Sequence, residues 1–285
     1  MINKGFCINS TKAIPSIYNN KQFYFMPNPI LRKYVSHYTF SYSVANYKEH
    51  VKGTAEELIL IPAGGGCMIF SFDGGELYES CWGPTSKPVK VQKDDSTKDK
   101  RMFFIEFLPG GLYEFTGIPQ NKLRDVQCSL FEIEKELTRT LRTAVMTSRS
   151  VEEIIFRTDN ILIRALENKF MTNASVISVL NKIKQSGGQA SIKSLAASEY
   201  ISERHLNRLF ENSVGISVKT YERLVRINRA VKLYKNNTLQ SVSHIAQESG
   251  FFDESHFIRD FNEFCNATPN TFVKKVSDFY NEPFK

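Results

Sequence analysis

The sequence predicts an α+β chain: a β-rich domain over residues 1–130, a helical linker over 131–174 and an all-α domain over 175–285. Three observations predict it. Short apolar runs alternate with glycine and proline clusters through the first part. Apolar residues at helical spacing follow. The last hundred or so residues then state one helix-turn-helix pattern twice, 50 residues apart before the turn and 51 after it.

In the first part the apolar runs are Glu57–Ile61, Cys67–Phe72 and Met102–Phe107. Between them lie the turn clusters Pro62–Gly66, Asp73–Gly75, Gly83–Pro84 and Pro109–Gly111. Short strands broken by turn chemistry at such intervals suggest a sandwich or small barrel. The charged stretch Lys93–Arg101 reads as a solvated loop. Tyr38, Phe40, Phe70, Phe72, Trp82 and Phe104 lie along this region, but alternating strand residues fill cores more often than pockets, so no ligand residue is assigned.

In the linker, Phe131, Ile133, Leu137, Leu141 and Val145 recur at helical spacing, as do Ile154, Ile155, Ile161, Leu162 and Leu166. Such helices serve equally well as a dimerisation element or as plain core. A further helix, 175–185, opens the last domain and stops at Ser186–Gly188.

The repeat itself is dense. Leu195 and Ala196 match Ile245 and Ala246, Ile201 matches Phe251, and Leu206, Arg208 and Phe210 match Phe257, Arg259 and Phe261. Each copy sets an alanine where two helices must approach closely, then a polar N-cap, Ser202 or Asp253, before the second helix. Gly215 and Asn266 tolerate the left-handed conformation that ends a helix. Ser217 and Thr268 suit the next N-cap, with Pro269 at a first helical position. The units fall at 192–211 and 241–264, joined by a helix over 218–235 that would span about 27 Å. That length suits two recognition helices set near one DNA turn, roughly 34 Å, apart.

Charge agrees with this reading. The chain carries a formal net charge of +7. From Arg204 to Lys235 there are eight basic side chains (Arg204, Arg208, Lys219, Arg223, Arg226, Arg229, Lys232, Lys235) against Glu211 and Glu222. Alone, such a stretch is as well read as a solvated helix face. Beside a helix-turn-helix it is the electrostatic footprint of phosphate contact.

Other classes find little support. The five cysteines are scattered without CxxC spacing, which suits reduced thiols in a cytoplasm. No N-terminal apolar segment resembles a signal peptide, and no apolar run is long enough for a membrane span. HExxH, GxSxG and P-loop patterns are lacking, so no enzyme and no cofactor are expected. A metal-sensing variant would use His37, His50 and nearby carboxylates, which their spacing of 13 residues allows; they are the only histidines before residue 200, and surface or core roles suit both better.

The C-terminal residues resemble the DNA-binding domain of the AraC/XylS family of bacterial transcription regulators over about residues 178–278. The resemblance is carried by Ser194–Ala196, Ser202–Phe210, Gly215–Ser217, Arg226–Ala230, Ile245–Ala246, Gly250–Phe251, Ser255–Phe257 and Thr268–Pro269. Tyr200 departs from it where glycine is common in the first turn, Cys265 where an aromatic is usual and Asn266 where glycine is usual. The N-terminal part is similar to the cupin-like sensor domain of some members, through Phe107–Leu112, Gly117–Pro119, Leu123 and Trp82–Pro84. The resemblance implies a sequence-specific regulator that responds to an effector and activates more often than it represses. Its expected partners are double-stranded DNA, RNA polymerase, a small-molecule effector and a second copy of the chain. The alternative is a regulator answering to a metal or a protein partner.

Recognition-helix position gives the DNA-binding candidates Glu203, Arg204, His205, Asn207 and Arg208 in the first unit and Glu254, Ser255, His256 and Arg259 in the second. Arginine pairs bidentately with guanine and asparagine with adenine, which puts Arg204, Asn207 and Arg208 first. Arg208 and Arg259 also suit a phosphate contact or an internal salt bridge. The first unit is expected to supply most of the affinity, because its flanks are basic whereas Asp253, Glu254, Asp260 and Glu263 would repel phosphates from the second unless turned away.

Overall fold

The computed structural model describes residues 14–15, 22–43, 58–73, 75–91, 100–167, 174–236 and 241–275. Cys7, His50 and residues 93–99 of the charged stretch lie outside them.

Among the described residues nine strands form the N-terminal half: β1 Ile14–Pro15, β2 Gln22–Phe25, β3 Val35–Ser43, β4 Leu58–Leu60, β5 Cys67–Asp73, β6 Glu76–Trp82, β7 Val89–Val91, β8 Lys100–Phe107 and β9 Gln127–Ser129. Seven make one antiparallel sheet in the order β1-β2-β3-β8-β5-β6-β9, and β4 pairs with β7 apart from it. Strand alternation puts Phe40, Phe70, Phe103 and Ile105 on one buried face. Phe40 stacks on Phe103 with ring centroids 4.6 Å apart, and Tyr38, Phe40, Phe70 and Phe72 pack as core while Trp82 and Phe104 are half-buried.

Among the described residues four α-helices follow or interrupt the sheet: α1 Gly111–Thr116, α2 Leu130–Ile133, α3 Lys135–Thr147 and α4 Val151–Glu167. Here the expectation of a linker over 131–174 needs correcting. Leu137, Leu141, Val145, Val151, Ile154 and Leu162 share a single core with the strands. Polar ties fix the docking: Tyr38 donates to Asp159 at 2.7 Å, and Arg142 pairs with Glu79 on β6. The physical reason is amphipathicity, since an apolar helix stripe must be covered and the sheet face is the nearest cover.

The rest is helical: α5 Ala174–Gln185, α6 Ile192–Ser198, α7 Glu203–Val214, α8 Val218–Asn236, α9 Val242–Glu248, α10 Glu254–Cys265 and α11 Pro269–Lys275. The antiparallel sheet region followed by a helical domain with two helix-turn-helix units is the fold class expected from the sequence. A second core runs through these helices, with Leu195, Ala196, Leu206, Phe210, Leu224, Ile227, Ile245, Ala246, Phe257 and Phe261 buried in it. Ala196 and Ala246 occupy matched places, where a larger side chain would hold the helices of each unit apart. Among the described residues no helix is long and apolar enough to cross a membrane.

Candidate nucleic-acid interface

α6 and α7 form the first unit, α9 and α10 the second, and α8 joins them. Local chemistry starts each recognition helix in the same way. The Ser202 hydroxyl accepts from the His205 backbone N–H at 3.2 Å, and the Asp253 carboxylate accepts from that of His256 at 2.7 Å. Both end in the left-handed region, Gly215 at φ +89° and Asn266 at φ +49°.

On α7 the buried stripe is Leu206, Phe210 and Val214. Glu203, Arg204 and Arg208 are exposed, while His205 and Asn207 are half-buried. Arg208 donates to His205 Nδ1 at 3.2 Å, which steadies both side chains on the outer face. On α10 the buried stripe includes Phe257, Phe261 and Phe264, leaving Glu254, Ser255 and Arg259 exposed. His256 is half-buried, edge-on to Phe251, with Nε2 3.5 Å from the Asp260 carboxylate. It faces the protein more than its neighbours do.

Internal partners take part of the positive charge of α8. Arg223 of α8 reaches across to α10, donating to Asp260 at 2.9 and 3.0 Å and to Glu263 at 3.1 Å. The Asp260 hydrogen bond, ahead of other influences, raises the hold of Arg223 on its proton. Arg226 donates to the Gly188 carbonyl and lies over the Phe251 ring, 5.2 Å from its centroid. Two of the eight basic residues counted above therefore serve inside the domain. Lys219, Arg229 and Lys232 remain exposed on α8, and the Lys235 side chain lies outside the described residues.

The same bonds correct the reading of the second unit. Asp260 is buried against Arg223, Glu263 pairs with the same guanidinium, and Asp253 caps α10. Of the four acids expected to repel phosphates, Glu254 alone is left on the outer face without one of these duties. The case for a weak second unit loses most of its basis.

A further contact was not visible in the sequence. The segments after β6 and α1 meet the end of α7. A Cβ at Gly215 would lie 2.9 Å from Pro84 Cγ and 3.0 Å from the Gln120 carbonyl, and Arg124 lies within 3.5 Å of the Gly215 carbonyl. A Cβ at Gly64 would lie 3.3 Å from Ile216, and Ile61 belongs to the helical core. The N-terminal domain thus touches the first unit where its recognition helix ends and α8 begins. Contacts between segments 91 residues apart leave no periodic trace in a sequence.

A family model described as a helix-turn-helix domain matches residues 195–275. The C-terminal domain is an AraC-type helix-turn-helix domain. A second model, described as a domain of unknown function (DUF6597), matches residues 24–129. The chain is 27% identical over 112 residues to the Msm operon regulatory protein of Streptococcus mutans, covering 38% of this chain and 40% of that protein. It is 33% identical over 97 residues to the uncharacterized HTH-type transcriptional regulator YfiF of Bacillus subtilis, covering 32% of this chain and 30% of that one. The chain thus spans about two fifths or less of the length of these curated relatives. Among solved structures it is similar to ToxT of Vibrio cholerae O395 at 14% identity and a TM-score of 0.41, over 79% of this chain and 95% of that one. Among the described residues, no three His, Cys, Asp or Glu side chains gather in a way that could hold a metal ion.

Proposed function

We propose that this chain is a cytoplasmic transcription regulator that binds double-stranded DNA sequence-specifically through both helix-turn-helix units. The carrying observation is the outer face of α7, where Arg204 and Arg208 are exposed and Asn207 is half-exposed on a helix capped at both ends. Arg204 reads guanine, Asn207 adenine, and Arg208 a base or phosphate through the groove. Glu203 lines the helix start, and His205 supports Arg208. Ser255 and Arg259 do the equivalent work on α10, flanked by Glu254 and His256. α8, about 28 Å long, sets the two readers near one helical turn apart.

The contact between the N-terminal domain and the end of α7 supports an effector-responsive mechanism. A small molecule that alters the packing of the segments around Pro84 and Arg124 would change the freedom of the first unit relative to the second. Promoter occupancy then follows the effector, with activation through RNA polymerase and a homodimeric regulator as the working form.

The test starts with duplexes selected from a random-sequence library by the full chain. Arg204→Ala and Asn207→Ala are each expected to weaken the selected duplex by roughly tenfold and to relax preference at one position. Affinity should fall steeply with salt, as counterion release requires. A library that yields no enriched sequence would sink the proposal.

A further inference from the structure

Each helix-turn-helix unit leaves one aromatic ring in solvent just ahead of its recognition helix. Tyr200, two residues before the N-cap Ser202, is 96% exposed, and Phe252, one residue before the N-cap Asp253, is 95% exposed. Among the described residues they are the two most exposed large hydrophobic side chains, well beyond Phe156 at 67%. Rings held this far out contribute nothing to either core and keep their apolar surface in water.

Tyr200 carries a second cost. Its backbone lies at φ +57°, a region that a bulky residue occupies with strain and glycine occupies freely. The second unit meets the same turn requirement with Gly250 at φ +84° and sets its ring on the next-but-one residue. Two turns of different length thus arrive at one arrangement, an exposed ring beside a recognition-helix N-cap.

We infer that Tyr200 and Phe252 are the apolar part of the DNA interface, pressing on thymine methyls and deoxyribose carbons of the major-groove wall beside α7 and α10. The inference rests on the DNA-binding reading given above. Thymine methyls are the groove feature that apolar side chains read, and the hydrogen-bonding groups Arg204 and Ser255 follow within four residues of each ring. Repetition favours duplex over protein. The rings recur at matched places in two units joined by a helix about 28 Å long, and a duplex presents the same groove again after roughly 34 Å. A folded protein partner has no cause to repeat its surface at that period.

The test uses the full chain and a selected duplex, with affinity read by fluorescence anisotropy. Tyr200→Gly should leave the thermal midpoint equal or higher, because glycine relieves the φ +57° backbone, yet weaken binding roughly fivefold. Phe252→Ser should weaken it to a similar degree. Deoxyuridine in place of thymine then assigns each ring. Loss of affinity that the ring variant no longer feels places it on a methyl, and an unchanged variant effect places it on the sugar. Unchanged affinity in both ring variants, with Arg204→Ala still weakened, overturns this inference and spares the DNA-binding reading. Unchanged affinity with lost transcription from a reconstituted promoter hands the rings to the polymerase and overturns it too. If Arg204→Ala is also silent, both readings fall.

Discussion

Glu222 on α8 is the most informative single titrating group of the helical domain. It is half-buried, its Oε1 finds no hydrogen-bond partner, and burial pushes its carboxyl up to about 7 despite the opposing charges of Arg226 and Lys219. The folded state therefore holds this proton more tightly than the unfolded chain, whose ordinary value is 4.5. The charged form is penalised above about 7, and stability is regained as pH falls from there toward 4.5. Glu222→Gln should accordingly raise the thermal midpoint at pH 8 by on the order of 2 °C and lose that advantage near pH 4.5. A difference between variant and parent that stays flat across this range would refute the titration. Other single residues were legible without coordinates. Ser202, Asp253, Gly215 and Asn266 take the cap roles their chemistry suggests, because capping is decided within three or four residues. Glu222 was not legible in that way: its charge reads as solvated until Arg226 and the turn at Gly188 are folded against it.

At the scale of elements, Arg223 is what orients α10 against α8. Its fork spans Asp260 and Glu263, and its guanidinium also lies over the Phe264 ring, 4.7 Å from the centroid. The Asp260 side chain is only 1% exposed, so removal of the cation leaves a buried carboxylate uncompensated. Arg223→Ala is expected to cost about 3 kcal/mol in urea unfolding, and Arg223→Lys to recover only part, since an ammonium cannot make the bidentate pair. A loss below about 0.5 kcal/mol would mean that the pair behaves as a surface bridge. The repeat foretold α10 with its buried Phe257 and Phe261, and the helix read over 218–235 is α8. Periodicity could not tell which of the polar residues face water, because a charge on the polar side of a helix looks the same whether its partner is solvent, phosphate or a neighbouring helix.

For the whole molecule, the decisive feature is the seam between the sheet domain and the first helix-turn-helix unit. The segments bearing Pro84 and Arg124 are bound to each other, with Asp125 N–H donating to the Pro84 carbonyl at 2.9 Å and Ser86 bonded to the Asp125 carboxylate at 2.6 Å. Together they close on Gly215. Gly215→Ala adds a methyl that meets both walls and strains the left-handed cap, at roughly 1–2 kcal/mol. We expect faster amide exchange over residues 82–84 and 120–126 in that variant, and partial recovery when Pro84→Ala removes one wall. Exchange confined to α7 would show that the seam carries no coupling.

The sequence by itself determined what is settled at short range: the sheet-forming character of the first part, two helix-turn-helix units with their caps, and the exposed helix faces that carry Arg204 and Arg259. Those features depend on spacing, turn chemistry and side chains a few residues apart. The tertiary structure alone decided that α2–α4 complete the sheet's core, that Arg223 is spent inside the helical domain, and that Pro84, Gln120 and Arg124 grip the end of α7. Each of these joins residues distant in the chain, where burial and a specific partner, rather than any local pattern, choose the outcome.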